Sequence, residues 1–128
     1  MNRTAFINLP ARDLDRSTEF LAALGLTVDP AVGDDRTRCV HLGDGAAVML
    51  HTEAYFAEFT GSAVADTTTT REVAVGLSAA SREEVDTLTG IAVAAGGEAV
   101  GVQDLGFLYM RAFRDLDGHQ WSLIHMEG

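Results

Sequence analysis

The chain contains no lysine and only one cysteine, Cys39, among its 128 residues. The lack of lysine excludes a Schiff-base mechanism and the phosphate-binding lysine of a P-loop. A single cysteine excludes an internal disulfide and a zinc site built from several cysteines. No apolar run approaches the roughly 20 residues that cross a bilayer, and the first residues lack the basic and then apolar pattern of a secretory signal. We therefore expect a soluble, cytoplasmic protein.

Positive charge is also scarce, because nine arginines are set against 19 acidic residues and the formal net charge is −10. Binding to nucleic acid or to an anionic membrane depends on basic side chains, so we expect neither as a partner. The hydrophobic fraction of 47% is too high for a disordered chain. The length suits one compact domain, or two small units that share a core.

An internal repeat organises the sequence. Residues 4–52 and 72–126 each begin with an alternating strand, continue into a helix that ends in glycine, and finish with a strand and a hairpin. Asp13 and Ser81 are the predicted helix N-caps, and both hairpin turns carry the Asp-Gly pair of tight turns. Each half therefore predicts a β-α-β-β-β module. A linker over about residues 53–71 joins them, either as a connector or as a lid over a cavity.

Alternation along the strands separates two faces in each predicted sheet. One set is uniformly apolar and is predicted to lie under the helices: Ile7, Leu9, Val48, Leu50, Val73, Val75, Leu77, Trp121 and Leu123. The other set mixes small, polar and large side chains, as a solvent-accessible concave surface would: Phe6, Asn8, Met49, His51, Glu53, Ala74, Gly76, Ser78, Ser122 and Ile124. We call the side of each sheet that carries the second set its open face.

Hairpin turns with an even number of residues would bring further side chains to the open faces. Tyr109 and Arg111 would then lie beside Ser122, and Arg38 would lie near His51. Turns of odd length would reverse both placements. Two arginines in a cleft would favour an anionic or carbonyl-rich small molecule, whereas the alternative is that they pair with acidic residues at the rim.

The same alternation places the remaining reactive side chains. Cys39, His41 and His125 fall in the apolar register, so we expect a buried thiol at Cys39. His51 and Glu53 lie two residues apart and could contribute to a metal site. The alternative for His51 is an exposed or hydrogen-bonded histidine near a strand end.

Two motifs accompany the repeat, Phe-Ile-Asn-Leu-Pro-x-x-Asp-Leu near the start and Asp-Leu-Asp-Gly-His-x-Trp near the end. With them the chain resembles the vicinal oxygen chelate superfamily, which contains glyoxalase I, extradiol dioxygenases, and bleomycin- and fosfomycin-resistance proteins. It looks most like a bacterial subgroup described as glyoxalase-like or as predicted lactoylglutathione lyases. The shared landmarks are Phe6–Leu9, Asp13, Leu14, Leu24, Gly25, Met49, Leu50, Val85, Asp86, Gly96, Gly97, Tyr109, Arg111, Phe113, Asp117, Gly118 and His119.

The resemblance covers nearly the whole chain and implies a single domain over residues 1–128. The implied fold class is α+β, with two tandem βαβββ modules forming a curved mixed sheet that carries its helices on the convex face. We also expect a homodimer, in which the modules pair either within the chain or across subunits.

The resemblance also locates the superfamily's metal centre. In metal-dependent members, four strands each supply one His, Gln or Glu ligand to a divalent ion that chelates two adjacent substrate oxygens. The corresponding positions here are Phe6, Met49, Ala74 and Ser122. Of these, only the serine hydroxyl could coordinate a hard or borderline ion, and weakly, so we expect no metal at these positions.

The sequence therefore predicts a small-molecule-binding protein that needs no cofactor, with no catalytic residue assigned. The predicted ligand-binding residues are Phe6, Asn8, Met49, His51, Tyr109, Arg111 and Ser122. The alternative is an enzyme, a metal-dependent lyase, isomerase or dioxygenase of the glyoxalase or extradiol type, with non-standard ligands such as His51 and Glu53. A third hypothesis is a module that serves mainly as a dimeric partner for other proteins.

Overall fold

The computed structural model describes residues 3–127, which divide after Ala65 into two compact units. We call the unit that ends at Ala65 module 1 and the unit that begins at Asp66 module 2. The elements are β1 Ala5–Ala11, α1 Leu14–Ala23, β2 Thr27–Gly33, β3 Thr37–Gly43, β4 Ala46–Thr52, α2 Glu53–Thr60, β5 Ala74–Ser78, α3 Arg82–Ala94, β6 Glu98–Asp104, β7 Leu108–Arg114 and β8 Gln120–Met126. Every helix in this part of the chain is too short or too polar to span a membrane.

Module 1 contains a four-stranded mixed sheet in the order β1-β4-β3-β2, in which β1 runs parallel to β4 and the other pairs are antiparallel. Helix α1 begins where the Asp13 carboxylate accepts a hydrogen bond from the backbone N–H of Arg16, as predicted for an N-cap. Its buried side chains include Leu14, Phe20 and Leu21. The helix ends at Ala23, and Gly25 follows the C-cap residue Leu24 with a φ of +87°, which favours glycine.

Module 2 repeats this arrangement in the order β5-β8-β7-β6, with β5 parallel to β8. The Ser81 hydroxyl accepts a hydrogen bond from the N–H of Glu84, and the Glu84 carboxylate accepts one from the N–H of Ala80. This is the predicted capping box with its second bond shifted by one residue. The largest core side chains, Trp121 and Phe113, are completely buried.

The predicted α+β fold class is confirmed, because each module has the order β-α-β-β-β and its own mixed sheet. The segment predicted as a linker contains a further helix, α2, which the sequence analysis missed. Thr52 caps this helix by accepting a hydrogen bond from the N–H of Tyr55, and Gly61 ends it with a φ of +73°. Glu53 is therefore the first residue of a helix, and its predicted place on a strand is wrong.

The second part of that segment belongs to module 2. The Thr67 hydroxyl donates a hydrogen bond of 2.5 Å to the carbonyl of Asp117 in the turn between β7 and β8. A side chain at Gly118 would collide with Thr67, since a Cβ there would lie 2.6 Å from its hydroxyl oxygen. The predicted linker is thus divided at Ala65, because helix α2 belongs to module 1 and the residues from Asp66 onward belong to module 2.

Candidate functional site

The open face of module 1 forms as the alternation predicts. In the parallel pair of β1 and β4, Phe6 lies beside Ala47 and Asn8 beside Met49, on the side of the sheet opposite the buried Val48. Phe6 is 60% exposed, which is unusual for a large apolar side chain within a strand. The face therefore combines an accessible aromatic ring with a thioether and with polar groups.

His51 is the most constrained polar group on this face, with only 5% of its surface exposed. Its Nε2 lies 2.8 Å from the amide oxygen of Asn8, and its Nδ1 lies 3.0 Å from the Thr37 hydroxyl. Because an amide oxygen only accepts, Nε2 carries the hydrogen and the Thr37 hydroxyl donates to Nδ1. Both ring nitrogens of the neutral imidazole are thereby satisfied.

Aromatic side chains of α2 cover the His51 ring. The ring centroids of Tyr55 and Phe59 lie 5.4 and 5.6 Å from that of His51, and Phe59 is stacked on it. Burial lowers the pKa of His51, since the charged imidazolium loses hydration there. His51 is therefore a neutral, hydrogen-bonded residue near the end of a strand. Its nitrogens are engaged within the protein and Glu53 is exposed, so the geometry gives no support to a metal site at these two residues.

The open face of module 2 carries smaller side chains. Gly76 and Ala112 both pair with Ser122, and Met110 pairs with Ile124. A Cβ on Gly76 would lie 3.2 Å from Cδ1 of Ile124, so that side chain already covers the glycine. Ser122 lies on this face as predicted and is half-buried.

Tyr109 and Arg111 do not lie on the open face, and their predicted placement is wrong. The turn between β7 and β8 spans the five residues 115–119, an odd number, so Arg111 pairs with Leu123 and Tyr109 with His125. Both side chains point to the α3 side of the sheet and contact the same carboxylate there. The Tyr109 hydroxyl donates to Oδ1 of Asp86 at 2.5 Å, and Nη1 of Arg111 lies 3.2 Å from that atom.

The predicted position of Arg38 near His51 is wrong for a related reason. Although the turn between β3 and β4 has two residues, Asp44 and Gly45, a bulge between His41 and Gly43 shifts the register. Arg38 therefore pairs with Leu50 on the α1 side, where its Nη2 lies 3.3 Å from the Asp15 carboxylate. Arg38 and Arg111 both pair with acidic side chains, so the alternative offered by the sequence analysis is confirmed.

The same bulge moves Cys39 and His41 to the open face, so their predicted register is wrong. Cys39 pairs with Met49 and His41 with Ala47. Cys39 is buried as expected, and burial together with nearby Asp29 raises the pKa of its thiol. His41 is exposed, and its Nε2 lies 2.9 Å from Oδ2 of Asp29 on β2. The sequence analysis missed this group of three side chains because it depends on the register, although the Cys-x-His spacing along one strand was visible.

The four positions that the resemblance assigns to a metal do not fit one. Phe6 and Met49 lie on the open face of module 1, and Ala74 and Ser122 lie on that of module 2. Their side chains present a phenyl ring, a thioether, a methyl group and a hydroxyl. This set contains no carboxylate, imidazole or amide oxygen, which are the donors that divalent ions in oxygen- and nitrogen-rich sites require.

Comparison with known proteins reveals similarity in structure only. No protein-family model matches the sequence, and no curated protein matches it. The hypothetical protein SA1046 from S. aureus is 26% identical with a TM-score of 0.83, covering 98% of this chain and 94% of that one. A glyoxalase/bleomycin resistance protein/dioxygenase family enzyme from Burkholderia phytofirmans PsJN is 13% identical with a TM-score of 0.83, covering 97% of this chain and 98% of that one.

A bleomycin resistance determinant encoded on the transposon Tn5 superimposes with a TM-score of 0.68. It is 18% identical, and the alignment covers 99% of this chain and 100% of that one. Coverage of nearly the whole chain in each comparison means that both modules and their order match. The chain therefore has the fold of the glyoxalase/bleomycin resistance/dioxygenase proteins, as its resemblance to the vicinal oxygen chelate superfamily predicts.

Proposed function

We propose that this protein binds a small organic molecule on the open faces of its sheets, without a metal at the positions that its superfamily uses. The observation that carries the proposal is the exposed Phe6 ring on β1. This ring lies on the same face as Met49 and the hydrogen-bonded pair of Asn8 and His51. Small-molecule sites are mostly apolar and contain a few polar groups held in place.

The interactions within this face limit what it can offer to a ligand. The amide oxygen of Asn8 is engaged by His51, so the donor that this pair can offer to a ligand is the Asn8 amide NH2 group. Phe6 and Met49 supply stacking and dispersion contacts, and Ser122 of module 2 supplies a hydroxyl on its own face. We therefore expect a ligand with a planar apolar part and at least one hydrogen-bond acceptor.

The fold neighbours supply supporting context. One of them is described as a bleomycin resistance determinant, and another as the fosfomycin resistance protein FosX from Mesorhizobium loti. Resistance by holding a small molecule would require a binding face and no chemistry, which matches the side chains present here. We also propose that the protein is a cytoplasmic homodimer.

The test uses the methionine methyl groups as reporters, since Met49 lies on the open face of module 1 and Met110 on that of module 2. Chelator-treated protein with 13C-labelled methionine methyls is titrated with bleomycin, fosfomycin and a set of planar aromatic acids and amides. A ligand that binds these faces should shift the Met49 or Met110 resonance in the absence of metal. Binding that leaves both resonances unmoved would contradict the proposal.

Phe6 offers a matched pair of variants, because Phe107 is also exposed, by 58%, in the turn between β6 and β7. Phe6→Ala should weaken binding by about tenfold or more, as loss of one well-packed aromatic contact does. Phe107→Ala should leave the affinity unchanged. Equal losses in the two variants would point to non-specific apolar binding and would overturn the assignment.

The enzymatic alternative remains open to a direct assay. Methylglyoxal with glutathione, and a panel of catechols, can be supplied with added nickel, zinc, iron or manganese. Turnover that depends on one of these metals would favour a lyase, isomerase or dioxygenase. Such activity would have to use ligands other than the four superfamily positions, since their side chains do not fit a metal.

A further inference from the structure

Three side chains that commonly ligate metals converge at the β2–β3 edge of module 1. Cys39 and His41 lie two residues apart on β3, so both side chains point to the same face of the sheet. Asp29 lies on the neighbouring strand, with its Oδ2 atom 2.9 Å from Nε2 of His41. The thiol sulfur, the imidazole nitrogen and the carboxylate oxygen all lie within 4.8 Å of one another.

We propose that Asp29, Cys39 and His41 form a binding site for a divalent cation of the zinc type. Thiolate, imidazole and carboxylate are the three donor types found in protein zinc sites, at bond lengths of about 2.0 to 2.3 Å. Ligand atoms around a tetrahedral ion with such bonds are separated by about 3 to 4 Å. Small side-chain rotations would bring these three atoms to that spacing, since the His41–Asp29 pair is slightly too close and the remaining separations are at most 4.8 Å.

The surroundings of the three side chains favour a bound ion. Cys39 is 3% exposed, so its sulfur is shielded from water, while His41 is exposed and offers a path for an ion to enter. A bound cation would neutralise the Asp29 carboxylate and would take the place of the thiol proton, which leaves to solvent as the Cys39 thiolate forms.

Three protein ligands leave a fourth position open, which is the arrangement of zinc sites that bind water or a further ligand. His41 also lines a cleft of about 470 Å³, together with Leu26, Thr27, Leu42 and Asp44. Of the three proposed ligands, His41 is the one that lines this cleft, so the cleft borders the site at that side chain. The site uses β2 and β3, whereas the superfamily positions in this module, Phe6 and Met49, lie on β1 and β4.

The experiment titrates the full-length, reduced and chelator-treated protein with Zn²⁺ in competition with a chromophoric chelator, and with Co²⁺ followed by absorption. We expect one ion per chain and a thiolate-to-cobalt charge-transfer band. Cys39→Ser should abolish that band, and His41→Ala and Asp29→Asn should each weaken Zn²⁺ binding by at least about tenfold, because even outer partners of metal ligands matter by that factor.

His125→Gln serves as the matched control, because His125 is an imidazole on the α3 side of the module 2 sheet. This variant should bind Zn²⁺ like the parent protein. Asp29→Asn keeps the side-chain volume and tests the site even where the buried Cys39 variant folds poorly. Cobalt binding without the charge-transfer band, or an equal loss of affinity in His125→Gln, would overturn the proposal. Failure of this test would leave the proposed ligand binding at Phe6 untouched, because that experiment uses chelator-treated protein.

Discussion

Module 1 and module 2 have the same strand order and equivalent pairing, yet their open faces carry different side chains. Asn8 beside Met49 in module 1 corresponds to Gly76 beside Ser122 in module 2. The equivalent sets are Phe6, Asn8, Met49 and His51 in module 1, and Ala74, Gly76, Ser122 and Ile124 in module 2. Cys39 and His41 likewise correspond to Ala112 and Arg114. The faces opposite α1 and α3 thus differ in chemistry between the modules, while the cores under those two helices are apolar in both.

The two modules also differ in how their equivalent hairpins turn. Module 1 turns in two exposed residues, Asp44 and Gly45, between β3 and β4. Module 2 uses residues 115–119, which are organised around the half-buried Asp115 carboxylate. Asp115 accepts hydrogen bonds from the backbone N–H groups of Asp117 and His119, and from Nε1 of the buried Trp121. Within the described residues the two-residue turn has no such acceptor at its centre, whereas three hydrogen bonds of the longer turn converge on one carboxylate.

The largest loss of stability should follow from removal of the Asp115 carboxylate. Asp115→Ala removes the acceptor of three N–H hydrogen bonds in a half-buried turn, and should lower the free energy of unfolding by about 3 kcal/mol. Asp44→Ala, in the exposed turn of module 1, should change it by no more than about 0.5 kcal/mol. Urea denaturation of the two variants checks the difference, and equal effects would show that the hairpins do not differ in this way.

A second, intermediate effect concerns His51, which belongs to module 1 and has the apolar Ile124 as its counterpart in module 2. Burial lowers the pKa of His51 in the folded state, so the unfolded chain binds the proton more readily. Stability should therefore fall as the pH drops below about 6.5, the ordinary pKa of histidine, by up to about 1.4 kcal/mol per pH unit until the folded pKa is passed.

His51→Gln should remove this part of the pH dependence, because glutamine does not titrate. Thermal unfolding between about pH 7 and pH 5, a range around the usual histidine pKa, provides the measurement. If the variant lost stability on acidification as steeply as the parent protein, the dependence would have to come from another group. In that case protonation of His51 would not be the cause of the lower stability at acidic pH.

The smallest effect should come from the surface of module 2. Two guanidinium nitrogens of Arg82 lie 2.9 Å from the two carboxylate oxygens of Asp104. These hydrogen bonds, with one from the N–H of Gly106, lower the pKa of Asp104 to about 2. Because the folded pKa is below the unfolded value, the stabilisation is present above about pH 4 and is lost as the pH falls towards about 2.

Asp104→Asn should therefore reduce stability slightly at neutral pH and flatten the acid limb of the stability curve. The same substitution in an Arg82→Gln background should have a much smaller effect, since the principal partner is already absent. Acid unfolding of the four proteins of this double-mutant cycle gives the coupling between the two side chains. No coupling would mean that the exposed pair contributes nothing to the folded state.

Local patterns in the sequence predicted most of the fold. Asp13 and Ser81 were identified as helix caps, and the apolar sets that include Val48 and Trp121 were assigned to the buried faces. Such features depend on residues a few positions apart, so they can be read from the chain directly. Helix α2 was missed because the segment was interpreted as a linker, although Tyr55 and Phe59 have the i, i+4 spacing of a helix and Thr52 and Gly61 mark its ends.

The pairing of strands was not predictable in the same way. A five-residue turn after Arg114, and one extra residue at the bulge before Gly43, each reverse the face on which a whole strand presents its side chains. For this reason Tyr109 and Arg111 do not lie on the predicted open face, and Cys39 lies on the open face where the sequence analysis predicted the apolar one.

The sequence by itself determined the repeat, the helix ends, the apolar core and the absence of suitable ligands at the four superfamily metal positions. Only the tertiary structure decided which polar side chains meet. His51 joins Asn8 and Thr37, Arg111 joins Asp86, and Asp29 joins Cys39 and His41 across neighbouring strands. The physical reason is that strand alternation has a period of two, so contacts between strands depend on the parity of turns and bulges, which composition and spacing do not encode.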